Sequence, residues 1–263
     1  MERLNLGILM LKRTLLSLPI VALLSASLLV GCNDKKETAA QPQEKILRVG
    51  TNPTFAPFEF QGKDAELTGF DMDLIRAIGK QMGYKVELHN LAFDGLIPAI
   101  ATGNIDMAIA GMSINEDRKK QVNFSVPYYT SGLIILVNPD NNEVKSLADL
   151  KGKRIGVQLG TTGAFKAATV PEAKVVTFNN SDEQFLELSN KGVDACINDH
   201  PVVAYYLVQG GKGKMVGNVM EEESYGIAMK KGNDELTKKV NDAIAELKKN
   251  GEFDKIHKKW FGA

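Results

Sequence analysis

Cysteine, tryptophan and histidine are nearly absent from the chain: two, one and three residues among 263. Cys32 directly follows an apolar N-terminal run, so Cys196 stands alone in the rest of the sequence. A lone thiol forms no internal disulfide, and stability has to come from a packed core. "VDACIND" (193–199) reads as a buried strand, which makes Cys196 a buried structural residue. His89, His200 and His257 fall on different elements, so no metal centre is expected, and no cofactor either. Charge of one sign is also missing. The 32 basic and 32 acidic residues balance, and beyond residue 32 the counts are 29 and 31. That balance gives no general attraction to nucleic acid. No internal repeat is visible in the sequence.

What is present begins at the N-terminus. "MLKRTLLSLPIVALLSASLLVGCN" (10–33) has Lys12 and Arg13 ahead of an apolar stretch at 14–30, the pattern of an export signal. Pro19 and three serines make it a poor permanent membrane span. Its end, Leu29-Val30-Gly31-Cys32, resembles a bacterial lipobox, in which the thiol takes the lipid and cysteine becomes the new N-terminus. We therefore expect a lipoprotein signal peptide at 1–31, with diacylglyceryl and a palmitate-type acyl group on Cys32. The plainer reading is a buried cysteine after a signal helix. Met10 is an alternative start, because residues 1–9 add an odd extension ahead of the basic pair. "NDKKETAAQPQEK" (33–45) lacks large apolar groups and reads, with Cys32, as a flexible tether over 32–45.

About 230 residues remain, enough for one or two domains with a real core. From Ile46 onward strands alternate with helices. "ILRVGTN" and "KVELHNL" read as strands around "GFDMDLIRAIGKQMG", whose Leu74, Ile75, Ile78 and Met82 share a helical face that stops at Gly83. "DGLIPAIATG" is a short helix and "IDMAIAG" a buried strand. The alternation pauses at "FSVPYYTSG" and resumes with "LIILVN", "KRIGVQ", "TGAFKAA", "KVVTFN", "SDEQFLELSNKG", "VDACIND" and "PVVAYYLVQGG". Ser181 is expected to cap the helix at "SDEQFLELSNKG". "YGIAMK" is a further strand, and the chain closes on an amphipathic stretch with Leu236, Val240, Ile244 and Leu247 on one face. Such alternation predicts two α/β units, each a largely parallel sheet flanked by helices.

Ligands sit at the carboxyl ends of strands in such sheets. The loops falling there are "TNPTFAPFEF", "AFDG", "GMSINEDR", "VQLGTTG" and "INDHP". Arg118 offers a planar fork that matches a carboxylate. Ser113 offers a hydroxyl, and Gly111 a close backbone approach. "LGTTG" places N–H groups at a helix start, which suits an anion. Asp199 offers a carboxylate for an ammonium group, and Phe55 and Phe93 offer flat apolar faces. Together these match an α-amino acid. Each also has a plainer reading: Arg118 as a surface arginine, Asp199 as a helix N-cap, the phenylalanines as core, Lys119 and Lys120 as solvated charge.

The runs "PFEF", "GFDMDL", "FDGLIPAI", "GNIDMAIAGMSINEDRKKQVNFSVPYY", "SLADLKGKRIGVQLGTTG" and "NGEFDKIHKKWFG" resemble the bacterial amino-acid-binding proteins of ABC importers, over nearly all of 46–262. The resemblance implies a type II periplasmic-binding-protein fold: lobe 1 over 46–128 and 225–263, lobe 2 over 129–224, and two hinge crossings. It implies that Arg118 grips an α-carboxylate together with the N–H near Thr162. Asp199 would grip the α-ammonium with help from Gly111 and Ser113, while Phe55 and Phe93 flank the ligand side chain. Thr161 belongs to the same loop. Asn52, Gln158 and Asn198 stand where charged residues often contact the ligand's far end. Being neutral, they favour glutamine, with arginine next, since burying an unpaired cation is costly.

The implied protein is a monomeric receptor outside the cytoplasmic membrane, lipid-anchored at Cys32, handing its amino acid to the permease subunits of an ABC transporter, with no nucleic-acid partner. Two alternatives are a dehydratase on the same fold, for which Glu59 and Asp94 are the nearest acid candidates, and a sensory input module with a separate partner.

Overall fold

The computed structural model describes residues 44–262. The signal peptide, the lipidated Cys32 and nearly all of the tether lie outside the described residues.

The chain runs β1 (Ile46–Thr51), β2 (Thr54–Phe55), β3 (Glu59–Gln61), β4 (Leu67–Thr68), α1 (Phe70–Met82), β5 (Lys85–Asn90), α2 (Leu96–Thr102), β6 (Met107–Ala108), α3 (Glu116–Gln121), β7 (Val122–Phe124) and β8 (Tyr129–Val137). It continues through β9 (Arg154–Gln158), α4 (Thr162–Ala168), β10 (Lys174–Phe178), α5 (Ser181–Ser189), β11 (Ala195–Asp199), α6 (His200–Val208), β12 (Lys214–Tyr225), β13 (Ala228–Lys230), α7 (Asp234–Lys249) and α8 (Glu252–Phe261).

Local chemistry accounts for these elements. In α1, Asp73 occupies the first turn, where its charge complements the helix dipole. Leu74, Ile75 and Ile78 are fully buried, each worth roughly 1.5–3 kcal/mol. The helix stops at Gly83, whose N–H returns to the carbonyls of Gly79 and Lys80. The run Leu133–Val137 in β8 is buried throughout, as expected for a strand covered on both faces. In α5 the expected cap is displaced by one residue. Asn180 takes the N-cap position and its N–H donates to Glu183 at 3.3 Å, while the Ser181 hydroxyl turns inward to Gln158. Among the described residues no helix is long and apolar enough to cross a membrane.

Two five-stranded sheets form, in the orders β5-β1-β6-β13-β7 and β10-β9-β11-β8-β12, with a small sheet β2-β3-β4 beside the first. Each large sheet is parallel over three strands, β5-β1-β6 and β10-β9-β11. Its antiparallel pairings are made by β13 in lobe 1 and β8 in lobe 2, the strands next to the crossings. A relation between the halves that is invisible in the sequence appears here as matching clasps. Arg48 at β1 makes a fork to Asp106, with Nη2–Oδ1 at 2.7 Å and Nε–Oδ2 at 3.2 Å. Arg154 at β9 makes the same fork to Asp194, at 2.7 and 3.3 Å.

The chain crosses from the first sheet to the second between β7 and β8 and returns between β12 and β13. The crossing ends of β8 and β12 lie antiparallel, in register from Gly132 with Glu222 to Tyr129 with Tyr225. An aromatic cluster sits against them. The Phe58 ring centre lies 4.8 Å from Tyr129, 5.2 Å from Tyr225 and 5.4 Å from Phe261 of α8. Cys196 is fully buried in lobe 2, its thiol pushed up by burial and donating to the Gln184 carbonyl.

Candidate ligand-binding site

The carboxyl ends of both sheets face a small enclosed cavity. Lobe 1 contributes Asn52, Phe55, Glu59, Phe93, Ala110, Gly111, Ser113 and Arg118; lobe 2 contributes Gln158, Thr161, Thr162 and Asp199. Every residue expected for the site lines this cavity except Asn198. Successive side chains on a strand point to opposite faces, so with Asp199 facing the cavity its neighbour on β11 faces away. The Asn198 amide donates instead to Ser181 Oγ (3.3 Å) and Gln184 Oε1 (2.8 Å). Asp94 also lies off the cavity, against Gly160.

Arg118 is not a surface arginine. It is 6% exposed. It stands on α3, a helix started by Asn115, whose side chain accepts the Arg118 N–H at 2.9 Å. Nη1 donates to the Ser113 carbonyl at 2.7 Å, and Nη2 crosses to lobe 2 to donate to the Gly160 carbonyl at 3.0 Å. Gly160 adopts φ +76, which presents that carbonyl at no steric cost. The guanidinium carbon lies 5.2 Å from the Phe93 ring centre, a cation–π contact. Burial pulls the Arg118 pKa down, and the charges of Glu223 and Asp199 partly restore it. Among the described residues no carboxylate forms a direct ion pair with it. Its remaining N–H groups are available to an anion.

Asp199 is the complementary group. It occupies the N-cap position of α6 but makes no side-chain capping bond. Ser131 (3.0 Å) and Tyr225 (2.5 Å) both donate to Oδ1, and none of the described residues donates to Oδ2. Burial, then the charge of Glu223, push its pKa up to about 7, against the hydrogen bonds from Tyr225 and Ser131 and the charge of Arg118.

Gly111 has φ +51, and a Cβ there would sit 2.6 Å from the Phe55 ring. Its N–H donates to Asp71 Oδ2 at 2.9 Å, so its carbonyl is what remains for a ligand. Tyr128 donates to the same oxygen at 2.9 Å, while burial pushes Asp71 up to about 7. Thr161 caps α4: its Oγ1 accepts the Ala164 N–H at 3.2 Å and donates to the Gln158 carbonyl at 2.7 Å.

The far end of the cavity differs from the neutral amide wall expected there. Gln158 Nε2 donates to Asn52 Oδ1 (2.8 Å) and the Asn179 carbonyl (2.9 Å). Asn52 Nδ2 donates to the Leu91 carbonyl (3.0 Å), and Thr54 donates back to Asn52 Oδ1 at 3.1 Å. These amides are occupied with one another and with the backbone, and they tie lobe 1 to lobe 2. The polar atom left over is Glu59 Oε1, buried and without a partner, while Oε2 accepts from the Thr51 hydroxyl. Burial, and then the neighbouring Asp71, push Glu59 well above the usual carboxylate range.

Sequence reasoning left Glu59 outside the expected binding residues and missed Glu223 altogether. Glu59 opens β3, a three-residue strand too short to show a periodicity. Glu223 closes the acidic run 221–223, which reads as solvated, yet near the end of β12 its side chain turns inward and is buried.

Known proteins share this sequence pattern and fold. Residues 47–263 match the family described as bacterial extracellular solute-binding proteins, family 3. A probable histidine-binding protein of Neisseria gonorrhoeae is 35% identical over 247 residues, covering 90% of this chain and 92% of that one. An ABC transporter arginine-binding protein 1 of Escherichia coli (strain K12) is 36% identical over 228 residues, covering 84% and 93%. An ancestral arginine-binding protein was solved with arginine and with glutamine bound. Both structures are 48% identical to this chain; the first superposes with TM-score 0.81 over 83% of this chain and 99% of that one, the second with 0.78 over 84% and 99%. With a family match spanning both lobes, the chain belongs to the bacterial extracellular solute-binding proteins, family 3.

Proposed function

We propose that this protein captures an L-amino acid outside the cytoplasmic membrane and delivers it to the permease of an ABC transporter. One observation carries the reading: the same cavity holds a buried cation, Arg118, and a buried anion with a free oxygen, Asp199, and the two do not pair with each other. A zwitterion supplies the missing partner to each. Phe55 and Phe93 flank its side chain, and the lobes close on it about the two crossings. The names of the relatives, which bind arginine or histidine, support an amino acid as the solute.

At the far end we place a hydrogen-bond donor of the ligand on Glu59. The three amides that favoured glutamine are occupied, and Glu59 Oε1 is a lone acceptor. A guanidinium gives Glu59 both a donor and a counter-charge. Arginine therefore moves ahead of glutamine. The test is calorimetric titration with the twenty amino acids, ornithine and citrulline. Arginine should be among the tightest ligands, and Glu59→Gln should weaken arginine more than glutamine. Binding of glutamine with no measurable affinity for arginine would overturn the assignment at Glu59, and no binding of any amino acid would overturn the function.

Anchoring through Cys32 belongs to the same reading. Cys32→Ser should release the protein from membranes on fractionation, and a firmly membrane-bound variant would refute it. One observation favours a second reading, an acid–base enzyme: Glu59 faces the cavity and holds its proton above the usual range. Product formation from cyclohexadienyl acids such as prephenate would decide for it.

A further inference from the structure

Glu223 lies near the end of β12, paired with Ser131 of β8, and is 8% exposed although both of its sequence neighbours are acidic or polar. Its Oε2 accepts two hydroxyl hydrogen bonds at once. One comes from Ser113 of lobe 1, the other from Thr162 of lobe 2 at 3.0 Å. Both of these residues line the cavity, and Glu223 does not. A carboxylate oxygen offers only lone pairs, so each hydroxyl must turn its single hydrogen toward Glu223. What Ser113 and Thr162 present to the cavity is then acceptor capacity alone.

We infer that Glu223 is a positioning residue that fixes the polarity of these two hydroxyls, so that Ser113 serves with Asp199 as an acceptor for the ligand's α-ammonium and analogues without that ammonium are rejected. This rests on the amino-acid reading above. An ammonium brings three hydrogens to a cage of acceptors formed by Asp199 Oδ2, the Gly111 carbonyl and Ser113 Oγ. An α-hydroxyl brings one hydrogen, and its oxygen meets lone pairs at the other positions. If Glu223 is removed, Ser113 is free to rotate and donate to that oxygen, which relieves the conflict. Glu223 also bridges the lobes, but loss of a bridge weakens every ligand alike and leaves their ratio unchanged.

The experiment is therefore a ratio. Kd is measured by calorimetry for L-arginine and for its α-hydroxy analogue, 2-hydroxy-5-guanidinopentanoic acid, on the wild-type protein, Glu223→Ala and Glu223→Gln. In Glu223→Ala the preference for the ammonium form should shrink by about tenfold, the worth of one hydrogen bond. Glu223→Gln should keep most of that preference, because a single amide oxygen can still accept both hydroxyls. In a Ser113→Ala background the further change Glu223→Ala should leave the ratio unmoved, because no hydroxyl remains at 113 to reverse; Glu223→Leu, which fills the same space without an acceptor, stands in if Glu223→Ala does not fold. Equal weakening of both ligands in Glu223→Ala would overturn the proposal and leave a bridge only. A ratio that collapses as far in Glu223→Gln as in Glu223→Ala would overturn it too, since charge rather than hydroxyl polarity would then be responsible. If L-arginine does not bind at all, the ligand assignment falls, and L-glutamine with its own α-hydroxy analogue carries the same comparison.

Discussion

Replacing Arg118 with alanine separates ligand binding from stability. In the folded protein the guanidinium holds two carbonyls, Ser113 in lobe 1 and Gly160 in lobe 2, and has no direct carboxylate partner among the described residues. A bound amino acid would supply one. Truncating one member of a buried, hydrogen-bonded charge pair costs about 2–5 kcal/mol. At 1.4 kcal/mol per tenfold, Kd should rise by roughly 30- to 4,000-fold. The loss should be similar for every amino acid the wild type binds, because all carry the same α-carboxylate. Stability without ligand should change little, since burial already works against this charge and the variant relieves that cost while giving up two hydrogen bonds. Arg118→Lys should recover little of the affinity, because one ammonium cannot reach both carbonyls and also fork a carboxylate. Calorimetry with L-arginine and L-glutamine, paired with thermal unfolding with and without ligand, checks both halves. A near-native Kd in the alanine variant would refute the assignment. So would a loss confined to one amino acid.

Gly111→Ala should lower both melting temperature and affinity, since the added methyl meets the Phe55 ring and a left-handed backbone at once; backbone strain alone is worth about 1–2 kcal/mol. Asn52→Asp should raise the affinity for arginine relative to glutamine but reduce stability, because the carboxylate cannot replace the bond to the Leu91 carbonyl. Asp71 and Asp199 keep their protons to about pH 7 when folded, against 3.8 as the ordinary value. Their contribution to stability without ligand is thus fully present below about pH 4 and lost as pH rises through 7; Asp71→Asn should flatten the decline seen in unfolding curves. Ligand affinity should run the other way, weakening as pH falls below 7 while Asp199 takes up its proton, and Asp199→Asn should remove that dependence.

Much of this was legible in the sequence because it lives in local pattern. The helix at 70–82 follows from the spacing of Leu74, Ile75 and Ile78, and the pocket loops follow from where strands end. Arg118, Asp199 and Gly111 were readable as a set because each combines an unusual residue type with a strand end. What stayed hidden depends on direction and on partners far away in the chain. Asn198 is one residue from Asp199, yet strand alternation turns it to the opposite face. Ser181 looked like a cap, but Gln158, 23 positions away, takes its hydroxyl. The amide wall that pointed to glutamine dissolved once Asn52 and Gln158 were found bonded across 106 positions. The kinship of the two lobes shows only in paired geometry, Arg48 with Asp106 and Arg154 with Asp194, not in any stretch of matching letters.

The position of β13 in the first sheet bears on the order in which the molecule can assemble. The second sheet uses strands from 129 to 225 without interruption, so it can be completed as soon as that stretch exists. The first cannot. Residues 228–230 lie between β6 and β7, and β7 pairs with nothing else in the sheet. Until they arrive, the last strand of the N-terminal half has no neighbour to hold it. The aromatic cluster at the crossings waits longer still, for Phe261 near the end of α8. A chain emerging from its N-terminus would thus finish its middle first, carry an open sheet edge meanwhile, and set its pivot last, so that a truncation of a dozen C-terminal residues should leave lobe 2 formed but the pivot loose.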